Sequence, residues 1–161
     1  AKFFGATTIA TVSGEAKKAH AMRAKPDYII NYKTEDTAAR VLEITGGKGA
    51  DRILEVEFGG NLEVSAKALK AGGTIAAYGS AAVPAPALPF YPLMFNNAVI
   101  KTIFIYKIGK AARQKTIKQI AEIEPRLTHA VAGIFPLKET QKAHEAVESG
   151  KQIGNVVVEI P

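Results

Sequence analysis

The sequence has no cysteine, no tryptophan and only two methionines in 161 residues. Without cysteine, these residues hold neither a disulfide nor a thiolate zinc site. No apolar run approaches the roughly 20 residues that a membrane-spanning helix needs, and the first residues lack the charged, apolar, small-residue succession of a secretory leader. No G-x-G-x-x-G occurs, so the phosphate-binding turn that usually joins a first strand to its helix is missing from this stretch. There is no long run of like charge either. The net charge is +6, but the basic residues are scattered as singles and pairs such as Lys17-Lys18, whereas nucleic-acid readers gather them on one face. The expectation is a protein that binds neither nucleic acid nor membrane, with a cytoplasmic location.

What is present is enough for a core. Hydrophobic residues make up 47% and charged residues 22%, a balance typical of one globular domain at this length. Strand-like and helix-like stretches alternate. Ala6 to Val12 reads as a buried strand, Glu15 to Ala24 as a helix and Tyr28 to Tyr32 as a strand. Glu35 to Thr45 follows as a helix ended by Gly46-Gly47, then Asp51 to Val56 as a strand. Leu62 to Leu69 reads as a helix and Thr74 to Tyr78 as a strand. Pro84, Pro86, Pro89 and Pro92 then exclude regular helix or central strand, so this stretch reads as a long loop. Ala98 to Tyr106 reads as a strand, Ala111 to Ile123 and Leu137 to Ser149 as helices, and Asn155 to Ile160 as a last strand. Alternation of this kind specifies an α/β, doubly wound parallel sheet.

In such sheets ligands bind beyond the carboxyl ends of the strands. An acid after the strand that faces the adenosine ribose holds the free 2′-hydroxyl and selects NAD. Here that position is Ser13, with Lys17 one turn on and Tyr32 ending the next strand. A hydroxyl, an ammonium and a phenol suit a 2′-phosphate, so NADP is the expected cofactor. Beyond the strand at Asp51 to Val56 lie Phe58, Gly59, Gly60 and Asn61, and an acid, Glu57, stands beside them. His20, His129 and His144 have no carboxylate or second histidine at ligand spacing and read as structural or solvated. Gly46-Gly47-x-Gly49 follows a helix and precedes a strand, the wrong order for a phosphate loop.

The segments GATTIATVSGEAK, PDYIINYKTED, ARVLEITGGKGAD, LKAGGTIAAYGS and FPLKETQKAHEAVESGKQIGNVVVEIP resemble the cofactor-binding domain of zinc-independent medium-chain dehydrogenases/reductases, the quinone oxidoreductase group. The resemblance implies a Rossmann-like domain truncated before its first strand, with residues 1–161 a partial dinucleotide-binding domain. AKFFGA resembles the last turn of the helix that precedes the present first strand. The resemblance also places Phe58 and Gly59, then Tyr78, Gly79 and Ser80, against the cofactor, with Phe104 and Tyr106 walling the nicotinamide. It implies an NADPH-dependent enzyme passing hydride to a quinone or a conjugated enone, with no catalytic or metal-binding residue in this stretch. The central strand of such a sheet would be missing. Strand exchange, a collapsed sheet, or a homodimer joined through Val99 to Ile105 are the expected ways of coping with the gap. The alternatives are a zinc-dependent alcohol dehydrogenase and a non-catalytic dimerisation module of the same fold.

Overall fold

Short capped helices alternate with parallel strands throughout the computed structural model, which describes residues 1–161. The elements are β1 (Ile9–Val12), α1 (Glu15–Met22), β2 (Tyr28–Asn31), α2 (Thr37–Ile44), β3 (Ala50–Glu55), α3 (Phe58–Ala68) and β4 (Leu69–Ala77). They continue with α4 (Phe90–Phe95), β5 (Val99–Thr102), α5 (Lys110–Ile123), β6 (Val131–Pro136), α6 (Thr140–Glu148) and β7 (Asn155–Glu159). Every strand pair is parallel. The fold is the Rossmann-like α/β class read from the sequence.

The strands form three sheets, ordered β1-β2, β3-β4-β5 and β6-β7. β1 pairs only with β2 and β3 only with β4. The sheets β1-β2 and β3-β4-β5 therefore share no hydrogen-bonded ladder. Helices hold the halves together instead. Asp36 accepts a hydrogen bond from the Ala39 amide (3.0 Å) and so caps α2. The stripe Ala38, Val41 and Ile44 then packs with Ile30 of β2, Ala68 of α3 and Ile53 of β3. Ile53 also belongs to the second cluster, where Leu62, Ala66, Leu69, Ile75 and Leu93 meet. Full burial of a side chain such as Ile30 or Ile75 is worth about 1.5–3 kcal/mol, and these two clusters are the core.

That core covers one face only. Strand side chains alternate, so Leu54, beside the packed Ile53, points the other way and is 72% exposed. The accessible surface is 11605 Å², well above the roughly 7,800 Å² expected of a compact monomer of this mass. Apolar surface remains open along the strand ends and the last two elements of the chain.

Several sequence expectations need correction, beginning with α3, which starts at Phe58 rather than Leu62, and β4, which starts at Leu69 rather than Thr74. The proline-rich loop contains a helix, α4, because Pro92 lies in its first turn, where no amide hydrogen bond is required. The strand expected to reach Tyr106 stops at Thr102, and Ile105–Lys107 form a turn of 3-10 helix, so Phe104 and Tyr106 lie beyond β5 rather than in it. Strand β6 went unread. Gly133 and Pro136 argue locally against a strand, yet β6 pairs with β7, more than twenty residues later. Lys2–Phe4 form one turn of 3-10 helix, closed by Gly5 at φ 80°.

Candidate functional site

The carboxyl ends of β1 and β2 build the first part of the site. The ladder runs one residue past the strands, where the Tyr32 amide donates to the Val12 carbonyl (3.0 Å). That bond sets Tyr32 beside Ser13. The chain then turns through Gly14, whose extended backbone (φ 164°) is the N-cap of α1 and leaves the Ser13 hydroxyl uncommitted. The first turn of α1 brings Lys17 over the same point. Ser13, Lys17 and Tyr32 line one cavity of about 380 Å³, together with His20 and the distant segment Gln152–Gly154. The three residues picked out in the sequence thus meet in space.

The chemistry of this cavity is one-sided. None of the side chains of Ser13, Lys17, His20, Tyr32 or Gln152 has a hydrogen-bond or ion-pair partner within the chain. Lys18, by contrast, pairs with Glu15 at 3.6 Å. No carboxylate lines the cavity. The nearby acids are engaged elsewhere: Glu35 accepts from the Asn31 amide (2.7 Å) and pairs with Arg40 (3.4 Å). Asp27 sits at the opposite end of these strands. There the Lys2 ammonium and the amide and hydroxyl of Thr8 hold its carboxyl down at about 2. A pocket with free donors and no acid is suited to an anion.

The carboxyl ends of β3 and β4 build the second part, and it differs. Phe58, Gly59, Tyr78, Gly79 and Ser80 do come together. The Phe58 amide donates to the Gly79 carbonyl (2.9 Å), and the Gly59 amide to Ser80 Oγ (2.8 Å). Ser80 Oγ in turn donates to the Val83 carbonyl (2.6 Å). Glu57 caps α3, and its carboxylate also accepts from the amides of Ala81 (2.8 Å), Ala82 (2.9 Å) and Val83 (3.3 Å). These amides, Ala82 first, hold the Glu57 carboxyl below its usual range. A Cβ on Gly59 would collide with the Val83 carbonyl oxygen, and one on Gly79 with that of Val56. The close approach that glycine permits here is to the protein's own backbone.

Beneath this turn, Glu55 is buried and accepts from Ser65 Oγ (2.8 Å) and Asn61 Nδ2 (3.0 Å). Asn61 is therefore engaged below the turn and does not cap α3. Phe104 and Tyr106 stack edge to face at 5.3 Å beyond the end of β5, both exposed. The ladder from β4 reaches toward them through the Ile103 amide and the Ala77 carbonyl (2.8 Å). Ser13, Tyr32, Tyr78, Gly79 and Ser80 directly follow strands, Lys17 stands in the first turn of α1, Phe58 and Gly59 in that of α3, and Phe104 and Tyr106 beyond β5, so the ten candidates fall in two groups on separate sheets. Of the histidines, His129 contacts Glu124 at 3.3 Å on the surface. No group of three or more His, Asp or Glu side chains converges on a common point.

Two contributors escaped the sequence. His20 lies three residues beyond Lys17 on α1, a spacing that puts both on one helix face, and that spacing was visible. Gln152–Gly154 gave no local signal, because only the folded chain brings them beside Ser13.

Comparison with known proteins agrees with this fold. The family described as "Zinc-binding dehydrogenase" matches residues 1–122. A 2-haloacrylate reductase of Burkholderia sp is 32% identical over 98% of this chain and 49% of its own length. Quinone oxidoreductase 1 of Escherichia coli K12 is 26% identical over 92% of this chain and 48% of its own. The chain spans about half the length of these curated relatives. Among solved structures, a mycobacterial protein complexed with NADPH superposes with a TM-score of 0.78 at 26% identity, covering 94% of this chain and 49% of its own. An NAD-dependent alcohol dehydrogenase does so with a TM-score of 0.81 at 28% identity, covering 99% of this chain and 46% of its own.

Proposed function

The chain belongs to the zinc-binding dehydrogenase family, and on that premise we propose that residues 1–161 are the partial dinucleotide-binding domain of an NADPH-dependent oxidoreductase. Its substrate is a quinone or a conjugated enone. The relatives named quinone oxidoreductase and 2-haloacrylate reductase support this pairing, since a haloacrylate carries an activated carbon–carbon double bond. The observation that carries the cofactor choice is the cavity at Ser13, Lys17 and Tyr32, which offers free donors and no carboxylate. A ribose 2′-phosphate satisfies those donors. A free 2′-hydroxyl would lack the acid that normally holds it.

When bound, the cofactor supplies hydride from its nicotinamide ring, and the protein's share is binding and orientation. Lys17 contributes a point charge, Ser13 a hydroxyl and Tyr32 a phenol to the ribose end. Phe58, Gly59, Tyr78, Gly79 and Ser80 support the middle and nicotinamide end, with Phe104 and Tyr106 as apolar wall. The residues of this chain do not fit a zinc site: it has no cysteine, and no three potential ligands converge. No zinc-dependent step is assigned to it. A homodimer formed through the exposed Val99 edge of β5 completes the reading.

The test is calorimetric titration with 2′,5′-ADP beside 5′-AMP at low salt, where the charge term is least screened. The expected result is a preference of at least about tenfold for 2′,5′-ADP, lost in Lys17→Ala. Equal affinity for the two nucleotides, or binding of neither, overturns the NADP reading.

A further inference from the structure

We propose that His20 is a further ligand of the 2′-phosphate and sets, with Lys17, the preference for a phosphorylated ribose. The inference rests on the NADP reading above and names a residue of that same site.

Three observations carry it. First, His20 lines the cavity of about 380 Å³ that holds Ser13, Lys17 and Tyr32. Three residues apart on α1, Lys17 and His20 stand about 5–6 Å from one another at their Cβ atoms, a separation that one phosphate group bridges. Second, His20 is only partly exposed, yet its ring has no hydrogen-bond partner within the chain. A half-buried imidazole with both nitrogens free presents at least one N–H to a ligand in either tautomer. Third, the charged side chains that line the two cavities bordered by His20 are all basic. Lys17 lies on one side, and Arg23, Lys25 and Arg126 line the adjoining cavity of about 410 Å³ on the other. Tyr32 is the remaining titratable neighbour, and neither cavity is lined by a carboxylate. The field at His20 therefore favours an anion over any competing internal partner.

This arrangement gives the phosphate three walls. Ser13 and Tyr32 come from the strand ends, Lys17 and His20 from α1, and Gln152–Gly154 close the far side from the turn before β7. The clamp is thereby wider than the three residues read from the sequence.

The test compares the ratio of 2′,5′-ADP to 5′-AMP affinity in the wild type, Lys17→Ala, His20→Ala and His20→Arg, with thermal unfolding of each. The expected result is a fall of about fivefold in the ratio for His20→Ala, as for loss of one hydrogen bond to a charged group in a partly open site. The 5′-AMP affinity stays unchanged, and His20→Arg restores the ratio. An unchanged ratio in His20→Ala, beside a lowered one in Lys17→Ala, overturns the inference and leaves the NADP reading standing. Equal losses for both nucleotides also overturn it, since a packing role would act on both. If the wild type shows no preference at all, the NADP reading fails and the role of His20 falls with it.

Discussion

The turn after β1 and the turn after β3 occupy equivalent places, each at the carboxyl end of a strand and the start of a helix, yet they are wired in opposite ways. After β1, the side chains of Ser13, Lys17, His20 and Tyr32 make no internal hydrogen bond or ion pair and surround open space, the Tyr32 ring alone lying under the Lys33 ammonium at 5.5 Å. After β3, Glu57 gathers the amides of Gly60, Ala81, Ala82 and Val83, and Ser80 bridges Gly59 to Val83. Each such internal hydrogen bond contributes about 0.5–1.5 kcal/mol net, so the second turn stabilises itself. The first leaves its donors exposed to water, which a ligand can replace. The difference teaches that a residue's place at a strand end is a weak guide to ligand contact until its other partners are known.

The largest effect is expected from forcing the two turns to exchange character at their glycines. Gly59→Ala drives a methyl into the Val83 carbonyl and Ser80 Oγ (2.8 Å), and should cost about 1–3 kcal/mol in urea unfolding. Gly14→Ala meets nothing within 4 Å, and its backbone is extended. It should change stability by less than about 0.5 kcal/mol. Similar losses in both would show that the turns are not wired differently.

Next is the ligand itself. Lys17→Ala should lower 2′,5′-ADP affinity about tenfold with no shift in unfolding temperature, because Lys17 has no internal partner to lose. A parallel drop in stability would mean that the first turn, too, is internally wired.

A smaller effect separates the turns by pH. Glu57 has its folded pKa depressed, chiefly by the amide of Ala82. Its contribution is therefore full above the unfolded carboxyl range near 4.5 and is lost as pH falls through the folded value. The protection of the Ala81 and Ala82 amides against exchange should fall in the wild type as acid titrates Glu57, below the usual carboxylate range. In Glu57→Gln it should be lower already at neutral pH and less dependent on acid. Asp27, held at about 2 by Lys2 and Thr8, should keep the opposite ends of β1 and β2 joined to lower pH. Simultaneous release of both regions would count against this order.

The smallest effect tests the surface. Lys18→Ala removes an exposed pair with Glu15 next to the cavity. It should leave both stability and the nucleotide ratio nearly unchanged.

Much of the first half of the molecule was legible because its signals are local. The apolar run before Ser13 and the glycines after α2 each mark an element within a few residues. β1, α1, β2 and α2 accordingly lie within about three residues of their expected bounds. Legibility failed where distant contacts override local preference. β6 carries a glycine and ends at a proline, but its ladder to β7 makes it a strand. Pro92 reads as a helix breaker unless its place in the first turn is known. At the site, Ser13, Lys17 and Tyr32 were readable from position in the alternating pattern, whereas the engagement of Ser80 by Gly59 and Val83 was not.

The sequence by itself determined the alternation of parallel strands and helices, and which residues stand at the strand ends. Periodicity, capping and turn formation act over a handful of neighbours and are written in their order. Only the tertiary structure decided which of those residues remain free. Glu57 meets the Ala81 amide across 24 positions, and Gln152 reaches Ser13 from the far end of the chain. A hydrogen-bond donor has no record in its own segment of the acceptor that folding will bring to it.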